Sequence, residues 1–369
     1  MNGRRLRIGG RLDRYVGSLF LSSYATALLI VVGLFLVLDL AGKIDEYIEP
    51  MKDGSPTPSL LIVRYYVLHV PFLFLQVGPF VTLVAGLFTV AKLLRFQENV
   101  GALAAGVSSQ RLLLSVIVLA GAAGAVMFGL REGLTSNLAN RRDALRFVLE
   151  QKSYDRVYYN LFVRDLSGSV VHLREFRPAT GDPPFAEVRG FRAVLARSNE
   201  WVTIEADRAV FVRRGDGTGW RLTNGWRKDL SGTRPVEMLE GFEFTPELAL
   251  TVARAHDQPL DLSYSEARTM TRRDPDNVAY QTLLNYHVTF PIANVVLVLV
   301  GVPLLMRSER KRTAAGLAAG SLLCIGYFAT DLVFRNLGLQ AALDPRMAAW
   351  IPILFFGSLG IVLFDAMRS

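Results

Sequence analysis

Apolar and polar positions along this 369-residue chain are gathered into blocks rather than mixed. Crossing a bilayer takes about 20 mostly apolar residues. Six stretches qualify: Val16–Leu38, Tyr65–Ala91, Leu112–Leu130, part of Asn277–Met306, Thr313–Thr330 and Met347–Phe364. The pattern therefore predicts six spanning helices. Pro71 and Pro79 predict a kink in the second, and Pro291 can bend the fourth. The first stretch follows a basic N-terminal region, as the apolar part of a signal peptide would. Its 23 residues are enough to span, and no convincing small-residue cleavage site follows, so it reads as a retained first helix.

Between the third and fourth stretches the texture changes for about 145 residues, the size of one ordinary domain. "VYYNLFVRDLSGSVVHLREF" reads as two short strands around a Ser-Gly turn. "EWVTIEADRAVFVRRGDGTGWRLTNGWRKDL" reads as further strands around Gly-rich turns. No long helical period is expected until Tyr264–Arg273, a short helix leading back to the membrane. Many short strands with close turns predict a sandwich or jelly roll. The edges of such sheets must be covered, or can be extended by another chain's strand. The expected fold class is thus an α-helical polytopic membrane protein with an inserted, all-β, jelly-roll-like domain. Residues 1–130 hold the tail and three spans, 131–276 the β domain, and 277–369 three more spans.

Charge orients this arrangement. Arg4, Arg5, Arg7, Arg11 and Arg14 precede the first span; Lys92, Arg95 and Arg111 follow the second; Arg307, Arg310, Lys311 and Arg312 follow the fourth. The alternate loops are acidic or mixed, with Asp39, Asp45, Glu46, Glu49 and Asp53 after the first span and Asp344 with Arg346 before the sixth. Basic loops stay cytoplasmic, so both termini are expected in the cytoplasm and the β domain outside. The same placement explains much of the net charge of +8 without nucleic acid. The single cysteine, Cys324, lies in an apolar run and excludes an intrachain disulfide.

Catalytic signatures are missing from the sequence. There is no GxxxxGK[ST], HExxH or GxSxG, so ATP hydrolysis through a P-loop is excluded and no cofactor or metal is expected. His69, His172, His256 and His287 are too dispersed to give metal-ligand spacing; His69 and His287, in or near spans, read first as interhelical hydrogen-bonding groups. Asp331 and Arg335 are four apart and read as an ion pair. Gly316 and Gly320 form a GxxxG that permits close helix approach, within the chain or with a second membrane subunit. Lys43 could meet an anionic headgroup or its acidic neighbours.

The loop after the second span, "QENVGALAAGVSSQR", is not a plain polar turn. Val100, Leu103, Ala104 and Val107 fall at i, i+3, i+4 and i+7, the stripe of an amphipathic helix. Gly106 can stop that helix and Ser108 can start the next. Glu98 falls in its first turn, where the helix dipole favours a carboxylate. Periodicity alone leaves two readings open: the stripe rests on the membrane surface, or it fills a groove in a cytoplasmic partner.

Together these features resemble the lipopolysaccharide-export permease family, the LptF/LptG (YjgP/YjgQ) type. The resemblance is carried by "LDRYVGSLFL" at Leu12–Leu21, "ENVGALAAGVSSQRLL" at Glu98–Leu113 and "FPIANVVLVLVGVPL" at Phe290–Leu304, and by the order of three spans, an outer β domain and three spans. The first of these is slightly more LptG-like. The resemblance implies a pair of related permeases working with a dimer of a cytoplasmic, LptB-like ABC ATPase. It implies that the helix near 97–106 docks into that ATPase, with the coupling glutamate at Glu98 and the Ala-Gly-Val-Ser turn at Ala105, Gly106, Val107 and Ser108. It further implies that the first and fifth helices of the two permeases face each other, with Gly316 and Gly320 at or near that contact. Lys43 becomes the candidate for the headgroup, and LptC/LptA-like jelly-roll bridge proteins receive the lipid outside the inner membrane. The rival expectation is a membrane-anchored envelope scaffold whose β domain binds a partner and which needs no ATPase.

Overall fold

The computed structural model describes residues 10–51, 54, 56–153, 156–179, 185–197, 200–214, 217–240, 244–307 and 313–367. Arg4, Arg5, Arg7, Asp53, Arg310, Lys311 and Arg312, which contribute to the charge pattern, lie outside them. Two compact units form: Met1–Gly42 with His69–Gly133 and Gln281–Ser369, and Lys43–Leu68 with Leu134–Tyr280.

The first unit is built from spanning helices. All six apolar stretches lie in helices: α1 (Arg11–Ile48), α2 (Ser59–Arg95), α4 (Ser109–Gln151), α7 (Val278–Arg307), α8 (Thr313–Leu339) and α9 (Pro345–Asp365). A seven-residue helix, α3 (Glu98–Ala104), separates α2 from α4. Pro71 and Pro79 sit inside α2 and Pro291 inside α7, without ending either helix. The helices are covered unequally. In α2, 72% of the apolar window is buried and in α7 67%, against 17% in α1 and 22% in α8. Val81, Leu83 and Leu87 of α2 and Val298, Val300 and Val302 of α7 thus lie in the core, joined by Val116 and Ala120 of α4. Van der Waals contact supplies much of the attraction here, because lipid tails are as apolar as the helices. Glycine makes it close: a Cβ on Gly124 of α4 would lie 2.5 Å from the Pro291 carbonyl oxygen of α7. One buried polar contact crosses from α2 to α7, with the Thr82 hydroxyl 2.6 Å from Asn294 Oδ1. Asn294 Nδ2 in turn donates to the Pro291 carbonyl at 2.9 Å.

The second unit carries an eight-stranded antiparallel sheet: β1 (Tyr158–Arg164), β2 (Val170–Arg177), β3 (Glu187–Arg197), β4 (Glu200–Arg214), β5 (Gly217–Thr223), β6 (Trp226–Asp229), β7 (Gly232–Pro235) and β8 (Met238–Glu240). The strand order is β1-β2-β3-β4-β5-β8. β4 is the longest strand, and its outer edge is shared. Thr203–Glu205 pair with β6 and Arg208–Arg214 with β5, so the sheet forks along β4. The ladder is interrupted along one line at the fork. Asn160 (φ 54°), Arg174, Gly190 (φ 67°), Asp207 and Asn224 (φ 52°) fall in line across successive strands, with a left-handed residue on every second one. Gly190 is required twice over, by its φ and because a Cβ would lie 2.8 Å from Arg174 Cβ. On the inner face, Leu173, Phe176, Val188, Phe191, Ile204 and Trp220 are buried, and the Trp220 indole donates to the Phe244 carbonyl at 2.8 Å.

Two elements depart from the sequence reading. Residues 131–151, expected to open the outer segment, continue α4 as helix. The run turns polar without meeting a proline, and its Arg, Ala, Leu and Glu are good helix formers. A 12-residue helix, α5 (Pro246–Asp257), precedes the predicted one. Its signals were local: Thr245 caps it by accepting from Leu248 N, and Pro246 occupies the first turn, where a missing N–H costs nothing. Ala249 and Ala253 of α5 join the sheet core. The expected helix, α6 (Tyr264–Arg273), is present and opens on a capping box between Ser263 and Glu266. Within this unit, the buried Arg142 guanidinium meets Asp143 at 2.6 Å and Asp261 at 2.7 Å, and Arg254 meets Glu266 at 3.0 Å.

Candidate functional site

The loop between the second and third spans builds a defined site. Gln97, at φ 59°, ends the direction of α2 and lets α3 start at Glu98. α3 stops at Ala104 by a Schellman closure. The Gly106 N–H donates to the Leu103 carbonyl at 2.9 Å and the Val107 N–H to the Ala102 carbonyl at 2.9 Å, with Gly106 at φ 77°. Ser108 then caps α4, its hydroxyl accepting from Arg111 N at 3.3 Å. The stop at Gly106 and the start at Ser108 are where the sequence put them. The stripe is shorter than its period implied, because Val107 lies beyond the helix, in the closing turn. Val100, Leu103, Ala104, Ala105 and Gly106 are exposed, and α3 has no buried residue. Ala102, on the other face, packs against the helix core.

Among the described residues, Glu98 is held at one oxygen. The Tyr15 hydroxyl, from the first turns of α1, donates to Oε1 at 2.7 Å. Oε2 is shielded from water and has no hydrogen-bond partner among the described residues. Two residues before Tyr15, Asp13 is buried and makes a second tie. Arg111 at the start of α4 donates to its two oxygens at 2.6 and 2.8 Å, and Ser115 to Oδ1 at 2.8 Å. Asp13 also accepts from Gly10 N at 3.0 Å, which closes the first turn of α1. The Leu12–Leu21 and Glu98–Leu113 segments, 83 residues apart at the Tyr15–Glu98 contact, are therefore one site. Nothing in the spacing of the two segments joins them in the sequence. The available signal was polar residues placed at the ends of apolar runs, where a charge is retained only if it is partnered.

The other candidates are scattered. Gly316 and Gly320 are both buried; a Cβ on Gly320 would meet Leu87 of α2 at 3.3 Å and lie 3.7 Å from the Gly301 carbonyl of α7. The exposed face of α8 instead carries Leu322, Ile325 and Val333. Lys43 is half-buried near the end of α1 and already has a partner within the chain. Asp331 and Arg335 pair at 3.7 Å, and the Arg335 guanidinium lies 4.8 Å from the centre of the Tyr286 ring. His69 lies in α2 and His287 is buried in α7, each with a partner in the chain.

Six apolar helices, an inserted antiparallel β region and a short uncovered helix between the second and third of those spans define a polytopic membrane protein. Residues 14–366 match the model of the family described as lipopolysaccharide export system permease LptF/LptG. The chain belongs to that family, and hence to the permeases of lipopolysaccharide export. No curated protein matches it.

Proposed function

We propose that this chain is one of two permease subunits of an ABC exporter that extracts lipopolysaccharide from a bacterial inner membrane. A cytoplasmic, LptB-like ATPase dimer drives it, both termini are cytoplasmic, and the β region is periplasmic, handing lipid to LptC/LptA-like jelly-roll bridge proteins. The observation that carries the ATPase coupling is α3 itself. A seven-residue helix is too short to be stable alone. This one holds Val100 and Leu103 out to solvent beside a carboxylate satisfied at one oxygen. An exposed apolar helix face with one polar anchor suits a groove in another protein.

Energetics support the division of labour. Exposing lipid acyl chains costs about 0.8 kcal/mol per CH₂, so extraction needs coupling to ATP, and the sequence carries no P-loop of its own. The poorly covered helices α1 and α8, with Leu29, Ile30 and Leu34 on one and Leu322 and Ile325 on the other, are the surfaces proposed to face the second permease. In this reading Gly320 lets α8 seat closely on α2 and α7, which turns its bulkier face outward. Lys43 remains the candidate for contact with a headgroup phosphate, through exchange of its present partner.

Purification in mild detergent tests the reading. An ABC ATPase should accompany the wild-type chain, and Glu98→Arg should release it while membrane insertion stays normal. An ATPase-free wild type would defeat the exporter reading. Depleting the chain from cells should leave lipopolysaccharide at the inner membrane; undisturbed delivery to the surface would count equally against it.

A further inference from the structure

Helix α1 is the least covered of the six spans, with only 17% of its apolar window buried. Two polar ties to the rest of its unit lie at its first turns. There Tyr15 reaches Glu98 of α3, and Asp13 takes Arg111 and Ser115 of α4. We infer that Tyr15 and Asp13 are positioning residues that pass displacement of α3 directly to α1, a role that rests on the ATPase docking proposed above.

The two ties differ in kind, and the difference gives the device its sense. Asp13 has both oxygens engaged, in a bidentate, charge-assisted pair with Arg111 and a hydroxyl contact with Ser115. Such pairs are among the strongest hydrogen-bonded contacts and hold orientation as well as distance. Asp13 therefore acts as the pivot, fixing the first turn of α1 on α4. Glu98 is half-satisfied: one oxygen accepts from Tyr15 and the other has no partner among the described residues. A shielded carboxylate oxygen left without a donor is costly. A cationic donor arriving with the docked protein would satisfy Glu98 and compete with the Tyr15 hydroxyl for it. Tyr15 is itself exposed, so its ring can leave without opening the core. Engagement of Glu98 is thereby converted into release or retention of α1 about Asp13, while Val16 and Phe20 stay packed in the core in the next two turns.

The test uses the full chain in its complex with the second permease and the ATPase, reconstituted in vesicles containing lipopolysaccharide. Tyr15→Phe removes one hydroxyl and no packing. It should leave complex yield, melting temperature and ATP hydrolysis near wild type. Lipid extracted per ATP should fall by about tenfold, the factor carried by one hydrogen bond to a charged group. Asp13→Arg should likewise uncouple, and Asp13→Arg with Arg111→Asp should restore coupling. The double variant Tyr15→Phe/Glu98→Gln should lose less than the product of the single losses, because both act through one contact. A purely structural role would instead lower the melting temperature and leave lipid per ATP unchanged in the assembled fraction, and that result overturns the inference. Normal coupling in both Tyr15→Phe and Asp13→Arg does so too, with the docking reading untouched. A wild-type chain that binds no ATPase removes the docking reading, and this inference with it.

Discussion

Gly124 and Glu187 show how single residues carry the two units. Gly124 lets α4 touch the backbone of α7, and a Cβ there would lie 2.5 Å from a carbonyl oxygen that cannot move aside without shifting a helix. Gly124→Ala should therefore destabilise the helical unit by about 1–3 kcal/mol, read as a lower melting temperature in detergent. Glu187, at the start of β3, accepts from Arg208 at 3.0 Å and from Arg189 at 3.2 Å. Partial burial alone would raise its pKa, but these two arginines outweigh it and hold the carboxyl below its ordinary 4.5. A depressed carboxylate pKa stabilises the fold above the ordinary value, and the contribution is lost as pH falls through the lowered one. Thermal unfolding of the β region followed from about pH 5 to about pH 3 should show this loss. Glu187→Gln should flatten it, and an unchanged acid limb would show that the arginines contribute nothing.

At the scale of elements, legibility in the sequence followed the range of the interactions involved. The helical period of α6 and the Ser-Gly turn between the apolar runs of β1 and β2 are both local, and the capping box that opens α6 likewise lies within four residues. α5 has equally local signals in Thr245 and Pro246, set at the end of a segment whose texture is otherwise β. The helical continuation of α4 to Gln151 was hidden for another reason: hydropathy reports where a helix leaves apolar surroundings, not where its hydrogen bonding ends. α3 was foreseen with its terminus, and its closure makes a prediction. Gly106→Val places a β-branched residue at φ 77°, a conformation such residues avoid. The Schellman bonds should break and the amides of α3 should exchange hydrogen faster, at least tenfold for a loss of about 1.4 kcal/mol. Protection equal to wild type would mean that α3 does not depend on that turn.

For the whole molecule, uneven coverage of the spans is the property with most consequence. Helices α2 and α7 are buried and fix the unit; α1 and α8 offer apolar faces that lipid or another permease can cover. Leu322→Trp with Ile325→Trp on the exposed face of α8 should reduce co-purification of the second permease and leave the chain's own melting temperature intact. Retention of that subunit would place the contact elsewhere. The sequence by itself determined the six spans, the inserted β region and the helix at Glu98. These depend on composition and on spacings of a few residues, which the bilayer and the backbone convert directly into structure. Only the tertiary structure decided that Gly320 faces Leu87 and Gly301, that the left-handed Asn160, Gly190 and Asn224 fall in line, and that Tyr15 and Asp13 meet Glu98 and Arg111. Each of those is a contact between segments far apart in the chain. Helical period tells which face is apolar, but not which neighbour the face will find.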